Sequence, residues 1–327
     1  MRVSLDHRWA AANVALILML MSGCVRAGAA PLRPDTARLA PWTRALRDQQ
    51  PDGPYVLVYK SGQMRLIFVA AQHENAVNSA TFRLIGRAFT LWPVRSVIVE
   101  GSSAALGPNP PELMAIATRS HPNSALDADG ETGPAVRNAI KVGAPVYGGE
   151  ADDLAVRDFA RNSGIKDLDI LGYYILRVIP QWIRDGSIAG PGDPRLIQLV
   201  NTQRARSAAE LEIASTVMPG FADFESWYQR TNRKPVSAGV DQEEAGPLVD
   251  GPWPTNRIGA AVSRARDAFL VEQIADRLNK DGSVLVVFGA SHAMIDKPAL
   301  NSMLGRPCYA GSDMTAAAKT CAARRKR

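Results

Sequence analysis

Apolar positions along this chain fall into short dense runs and longer periodic ones, and the two kinds alternate. Residues 55–60 and 65–70 are short, apolar and rich in β-branched and aromatic types. Ser61-Gly62-Gln63 joins them, which predicts a hairpin with a glycine-containing turn. Over residues 76–91 the period changes: Ala80, Leu84, Ile85, Ala88 and Phe89 share one helical face. Residues 96–99 read as a third buried strand ending in Glu100-Gly101. A helix around 134–142 precedes a fourth strand, 145–147, which ends in Gly148-Gly149-Glu150. Helical spacing then covers 152–161, 167–185, 194–218 and 221–231, with Asp193-Pro194 as a start signal. Residues 232–256 hold many Pro, Gly and acidic residues without a period and read as a long loop. A helix over 258–279, stopped by Asp281-Gly282, leads into a last strong strand at 284–288. This alternation predicts one α/β domain over 55–327. Its central sheet, mixed or largely parallel, is flanked by helices, with a helical insertion at about 152–256 in the second half.

The N-terminus stands apart from this pattern. Arg2, His7 and Arg8 precede an apolar stretch from Ala10 to Met21 broken only by Asn13. Its length suits a secretory signal over residues 1–23 and is short for a membrane span. The stretch ends in Met21-Ser22-Gly23-Cys24, which resembles the lipobox of bacterial lipoproteins. That resemblance implies lipidation of Cys24 and a membrane partner through the lipid anchor, and the polar, proline-bearing stretch that follows reads as a tether over 24–54. Val25, not aspartate, follows the cysteine, and by resemblance to known lipoprotein sorting this implies the periplasm or outer membrane. Cleavage after Ala27-Gly28-Ala29 is the competing reading. Export agrees with the two remaining cysteines, Cys308 and Cys321, which can pair as a disulfide. The net charge of +6 owes much to the terminal Arg324-Arg325-Lys326-Arg327, and no basic-aromatic interleaving points to nucleic acid.

Chemistry enters through histidine. The chain has four, and two of them follow apolar strands in one context: Ala70-Ala71-Gln72-His73 and Gly289-Ala290-Ser291-His292. In open α/β sheets ligands bind beyond the carboxyl ends of strands. His73 and His292, though 219 positions apart in sequence, are therefore expected over one crevice with Glu100 and a fourth acid, Glu150. Two imidazoles and a carboxylate suit a divalent metal with open positions. Without metal, the same groups can act as general base and acid on water. Gly289-Ala290-Ser291-His292-Ala293 nearly matches a nucleophile elbow, but no histidine follows to serve as base, so Ser291 is excluded. His121 in a polar loop and Glu74 beside His73 read as solvated, and Asp152-Asp153 as a helix start.

These motifs resemble those of the Tiki, TraB and GumN-like proteins, with ChaN-like lipoproteins and erythromycin esterases as distant relatives. Gly289-Ala290-Ser291-His292 matches the second Gly-x-x-His motif of that superfamily, and the first has alanine at position 70. Glu100 is similar to its glutamate after a strand, and Arg266-Asp267 to its arginine motif. The resemblance implies a metal-dependent or His/Glu-dependent hydrolase acting on a peptide or small-molecule substrate. In it His73, Glu100 and His292 are metal ligands for Mn, Co or Zn, and Glu100, Arg266 and His292 are catalytic. Arg266 stabilises negative charge or orients Glu100, a salt bridge being its bland alternative. A non-catalytic haem- or metal-binding lipoprotein is the second function it allows. Tyr173, Tyr174, Trp182, Trp227 and Tyr228 either shape such a pocket or simply pack the helical core.

Overall fold

Strands that are apolar on both faces must be covered on both sides, and this requirement sets the architecture. The computed structural model describes residues 30–119, 126–184 and 186–323. Leu32–Arg327 form one unit. Its strands are β1 (Tyr55–Ser61), β2 (Met64–Ala71), β3 (Ser96–Ser103), β4 (Val146–Glu150), β5 (Ser283–Gly289) and β6 (Tyr309–Gly311). They form a sheet of order β4-β3-β5-β2-β1-β6. The first four strands in that order are mutually parallel. β1 runs antiparallel to β2 through the expected hairpin, and β6 runs antiparallel to β1.

The helices are α1 (Arg44–Arg47), α2 (Ala80–Leu91), α3 (Pro111–Thr118), α4 (Thr132–Val142), α5 (Asp153–Asn162) and α6 (Asp167–Leu176). They continue with α7 (Ile179–Arg184), α8 (Arg195–Glu210), α9 (Phe221–Asn232), α10 (Pro254–Asp281), α11 (Ala290–Leu304) and α12 (Met314–Ala323). Val56, Val58, Ile67, Val69, Val97, Val99, Leu285 and Val287 form a core with α2, α3, α4 and α12. The alternate residues, among them Leu57, Phe68, Ile98, Val286 and Phe288, form a second core with α10 and α11. Helices α5 to α9 and the first half of α10 build a third core around Tyr174, Phe224, Trp227 and Tyr228. This is the helical insertion, and its aromatics mostly serve as packing.

Several boundaries differ from the sequence pattern for local reasons. The helix expected from residue 76 starts at Ala80, where Ser79 accepts the N–H of Phe82 and caps it. The stretch 167–185 divides into α6 and α7, because Pro180 has no N–H to continue the first helix. α8 ends at Glu210, soon followed by Glu212 in a left-handed conformation at φ 47°. The loop 232–256 is organised by a buried carboxylate. Glu244 accepts from Tyr228 at 2.6 Å, from Asn232 at 2.7 Å and from the Asp241 N–H at 2.7 Å, and pairs with Lys234 at 2.6 Å. The stretch expected as a tether packs onto the domain from Leu32 onward. Leu32 N–H binds Asn279 at 2.8 Å, Ala40 N–H binds the Ile295 carbonyl at 2.9 Å, and Leu39 and Trp42 are buried. Cys308 and Cys321 form a disulfide joining the chain just before β6 to α12. No helix among the described residues is long and apolar enough to cross a membrane.

Candidate functional site

Four parallel strands end at one edge of the sheet, and each delivers a polar residue there. β2 ends opposite β5, Ala71 pairing with Gly289, and His73 follows two residues on. β3 presents Glu100 just before Gly101, whose φ of 86° a side chain would oppose. β4 ends in Glu150, and β5 turns at Gly289 into α11, which carries His292 in its first turn. Arg266 and Asp267 reach the same place from α10.

Glu100 is the hub. One carboxylate oxygen accepts the Gly289 N–H at 2.7 Å. The other lies 3.4 Å from Arg266 Nη2 and 3.7 Å from His292 Nε2. Arg266 holds Glu150 with two bonds of 2.6 Å each, from Nε and Nη2. Burial alone pushes the Glu150 carboxyl up; the charge and hydrogen bonds of Arg266 outweigh it and leave it below the ordinary range. Burial also works against the Arg266 charge, and Glu150 and Glu100 more than restore it.

His292 is buried, and its Nδ1 is hydrogen-bonded to Asp267, itself fully buried and accepting from Ser263 at 3.1 Å. Burial disfavours the imidazolium, but Asp267 and then Glu100 favour it more, so the net shift is upward. Asp267 also fixes the ring, directing Nε2 toward Glu100.

His73 is more open, its side chain 67% exposed, and its Nδ1 lies 2.6 Å from Glu131 Oε1. This contact is the chief reason that His73 holds its proton above the ordinary histidine value. Glu131 arrives from the segment between α3 and α4. Its residues 126 and 127 are clipped to the loop after β2 by the Asp127 N–H bond to the Asn75 carbonyl, 2.6 Å, and by a bridge between Ala76 and Leu126.

One ligand atom each from His73, Glu100 and Glu131 lies within 4.8 Å of the others, a spacing suited to one metal ion. A methyl group on Gly289 would stand 3.1 Å from His73 Nε2 and 3.3 Å from Glu100 Oε2, so glycine keeps that space open. The group that could hold an ion among the described residues thus contains Glu131 and not the expected His292, which Asp267 and α11 hold on the buried side of Glu100. Glu131 follows no strand, so strand-end logic passes over it. Its one sequence signal is the acidic turn Asp127-Ala128-Asp129-Gly130-Glu131.

Compared with known proteins, the chain matches no family model, no curated protein and no solved structure.

Two cavities flank the cluster. One of about 550 Å³ is lined by Trp42, Arg47, Gly53, His73, Gly289 and Ser291. The other, about 590 Å³, runs from Glu150 and Arg266 past Asp153 and Tyr174 to Arg177. Ser291 sits on the wall of the first. Asp152 caps α5, as its helix-start reading expects. His121, Cys24, the signal segment and the cleavage point after Ala29 lie outside the described residues, as does the terminal basic cluster.

Proposed function

We propose that this chain is a metal-assisted hydrolase of the Tiki and TraB type, exported and lipid-anchored at Cys24. One observation carries the reading: the His73, Glu100 and Glu131 ligand atoms converge beside a buried Asp267–His292 pair and a fixed arginine. The approach of both histidine segments and Glu100 at one sheet edge supports the resemblance, and the disulfide fits an oxidising compartment.

His73, Glu100 and Glu131 would hold a divalent ion such as Mn, Co or Zn, since one imidazole and two carboxylates suit all three. Such an ion supplies a bound water of lowered pKa and polarises a carbonyl. The chain does the rest. His292, with Nδ1 committed to Asp267, takes or gives a proton at Nε2. Arg266, immobilised by Glu150, keeps a permanent positive charge beside Glu100 and offsets negative charge that develops on a carbonyl oxygen. The two cavities give an acyl part and a leaving part separate room on either side.

The test is turnover of nitrophenyl esters and short peptides by the purified protein with manganese, cobalt or zinc. Removing a general acid–base group costs about 100-fold or more. His292→Ala should lower the rate by that much, and Glu100→Gln, which removes a proposed metal ligand, should also lower it, both while retaining the helical spectrum. Wild type no faster than either variant on every substrate would sink the reading.

A further inference from the structure

The cavity beyond Glu150 carries many charges, and all but one of its arginines are already paired. Arg266 is bound to Glu150, and Arg206 donates to Glu210 at 2.7 Å. Among the acids, Asp153 accepts the Tyr174 hydroxyl at 2.9 Å and Asp152 accepts the Leu154 N–H at 2.8 Å. Arg177, just past the end of α6, differs. Its guanidinium carbon lies 4.0 Å from the centre of the Tyr174 ring, and among the described residues it has no carboxylate partner.

Stacking fixes the plane of a guanidinium without using its N–H donors. The platform beneath it is held as well, because Tyr174 is buried and its hydroxyl is tied to α5. Arg177 is thus an exposed guanidinium fork resting on Tyr174 at the wall of the cavity that begins beside Glu150 and Arg266. Such a fork matches a planar anion with two oxygens. Glu150, Asp152, Asp153 and Glu210 line the same space, so a dianion such as a phosphate monoester meets more repulsion there than a carboxylate does.

We propose that the substrates of this site carry a carboxylate some bonds away from the scissile carbonyl, and that Arg177 binds it. This rests on the hydrolase reading. In the reaction a water oxygen bonds to the carbonyl carbon, the carbonyl–oxygen bond to the leaving group breaks, and the proton from water leaves with the alcohol. The distal carboxylate stays on the acyl product throughout.

The experiment compares the 4-nitrophenyl hemiester of glutaric acid with 4-nitrophenyl pentanoate, in wild type, Arg177→Ala and Arg177→Lys with manganese present. A charged hydrogen bond of this kind corresponds to about tenfold in binding. Arg177→Ala should lower kcat/KM for the hemiester about tenfold more than for the pentanoate, through KM, and Arg177→Lys should recover part of the loss. Equal losses on both esters, or none, overturn the proposal. If wild type turns over neither ester faster than Glu100→Gln, the hydrolase reading fails, and calorimetric binding of glutarate then decides on Arg177. Glutarate binding about tenfold weaker in Arg177→Ala upholds the anion site, and unchanged or absent binding rejects it.

Discussion

At the scale of single residues the site is a set of opposed charges whose balance depends on a few atoms. Glu150 is the clearest case for pH. Its carboxyl lies below the ordinary value of 4.5 because Arg266 outweighs the effect of burial. A carboxylate with a lowered folded value stabilises the protein above its unfolded value and loses that contribution as pH falls through the folded one. Wild type should therefore lose stability from about pH 4.5 downward more steeply than Glu150→Gln, as read by urea midpoints between pH 3 and 7. Parallel curves would show that the Arg266 pair contributes nothing to folding. Residue-scale chemistry was partly legible in the sequence. His73, Glu100, Glu150 and His292 follow from strand ends and Arg266 only from the family resemblance, and they meet at one edge. The two histidine segments are nonetheless not equivalent. Ala71, not Ala70, stands opposite Gly289, so His73 leaves an extended strand whereas His292 rides the first turn of a helix. Glu131 and Asp267's grip on His292 are tertiary facts, set by a loop clip and a helix crossing that no local period encodes.

At the scale of elements, apolar period located the five long strands and most helices, and failed where local chemistry cut across it. Pro180 divides one apolar stretch into α6 and α7. A run without period, 232–256, is ordered by the buried Glu244 together with isolated apolar anchors, Val236, Val240 and Leu248, that follow no period. Removing one partner of a buried ion pair leaves the other charge uncompensated and costs about 3–5 kcal/mol. Glu244→Ala should destabilise the protein by that amount in urea unfolding and should expose the 232–256 segment to proteolysis. A loss below about 1 kcal/mol, typical of a surface pair, would mean that the pair does not organise the loop. Elements α11, α12 and β6 lie beyond the last strong strand, where lengths are short or apolar patterning is too weak to mark them.

At the scale of the whole molecule, a parallel sheet places its strand ends together, and β5 inserts between β2 and β3. The late-sequence Gly289–His292 turn thus lands between the His73 and Glu100 strands. The segment from Leu32 to Gly53 crosses the domain and closes one wall of the site, with Trp42 and Arg47 facing the cavity that holds His73. The proposed function stands on His73, Glu100 and Glu131 together holding one divalent ion while His292 acts beside it. Calorimetric titration of manganese into wild type, Glu131→Gln and His292→Ala decides the matter. One ion should bind per wild-type chain. Glu131→Gln should lose more affinity than the roughly 10- to 100-fold that outer-shell changes cost, and His292→Ala should lose no more than that range. No saturable binding by wild type, or binding abolished by His292→Ala but intact in Glu131→Gln, would contradict the assignment.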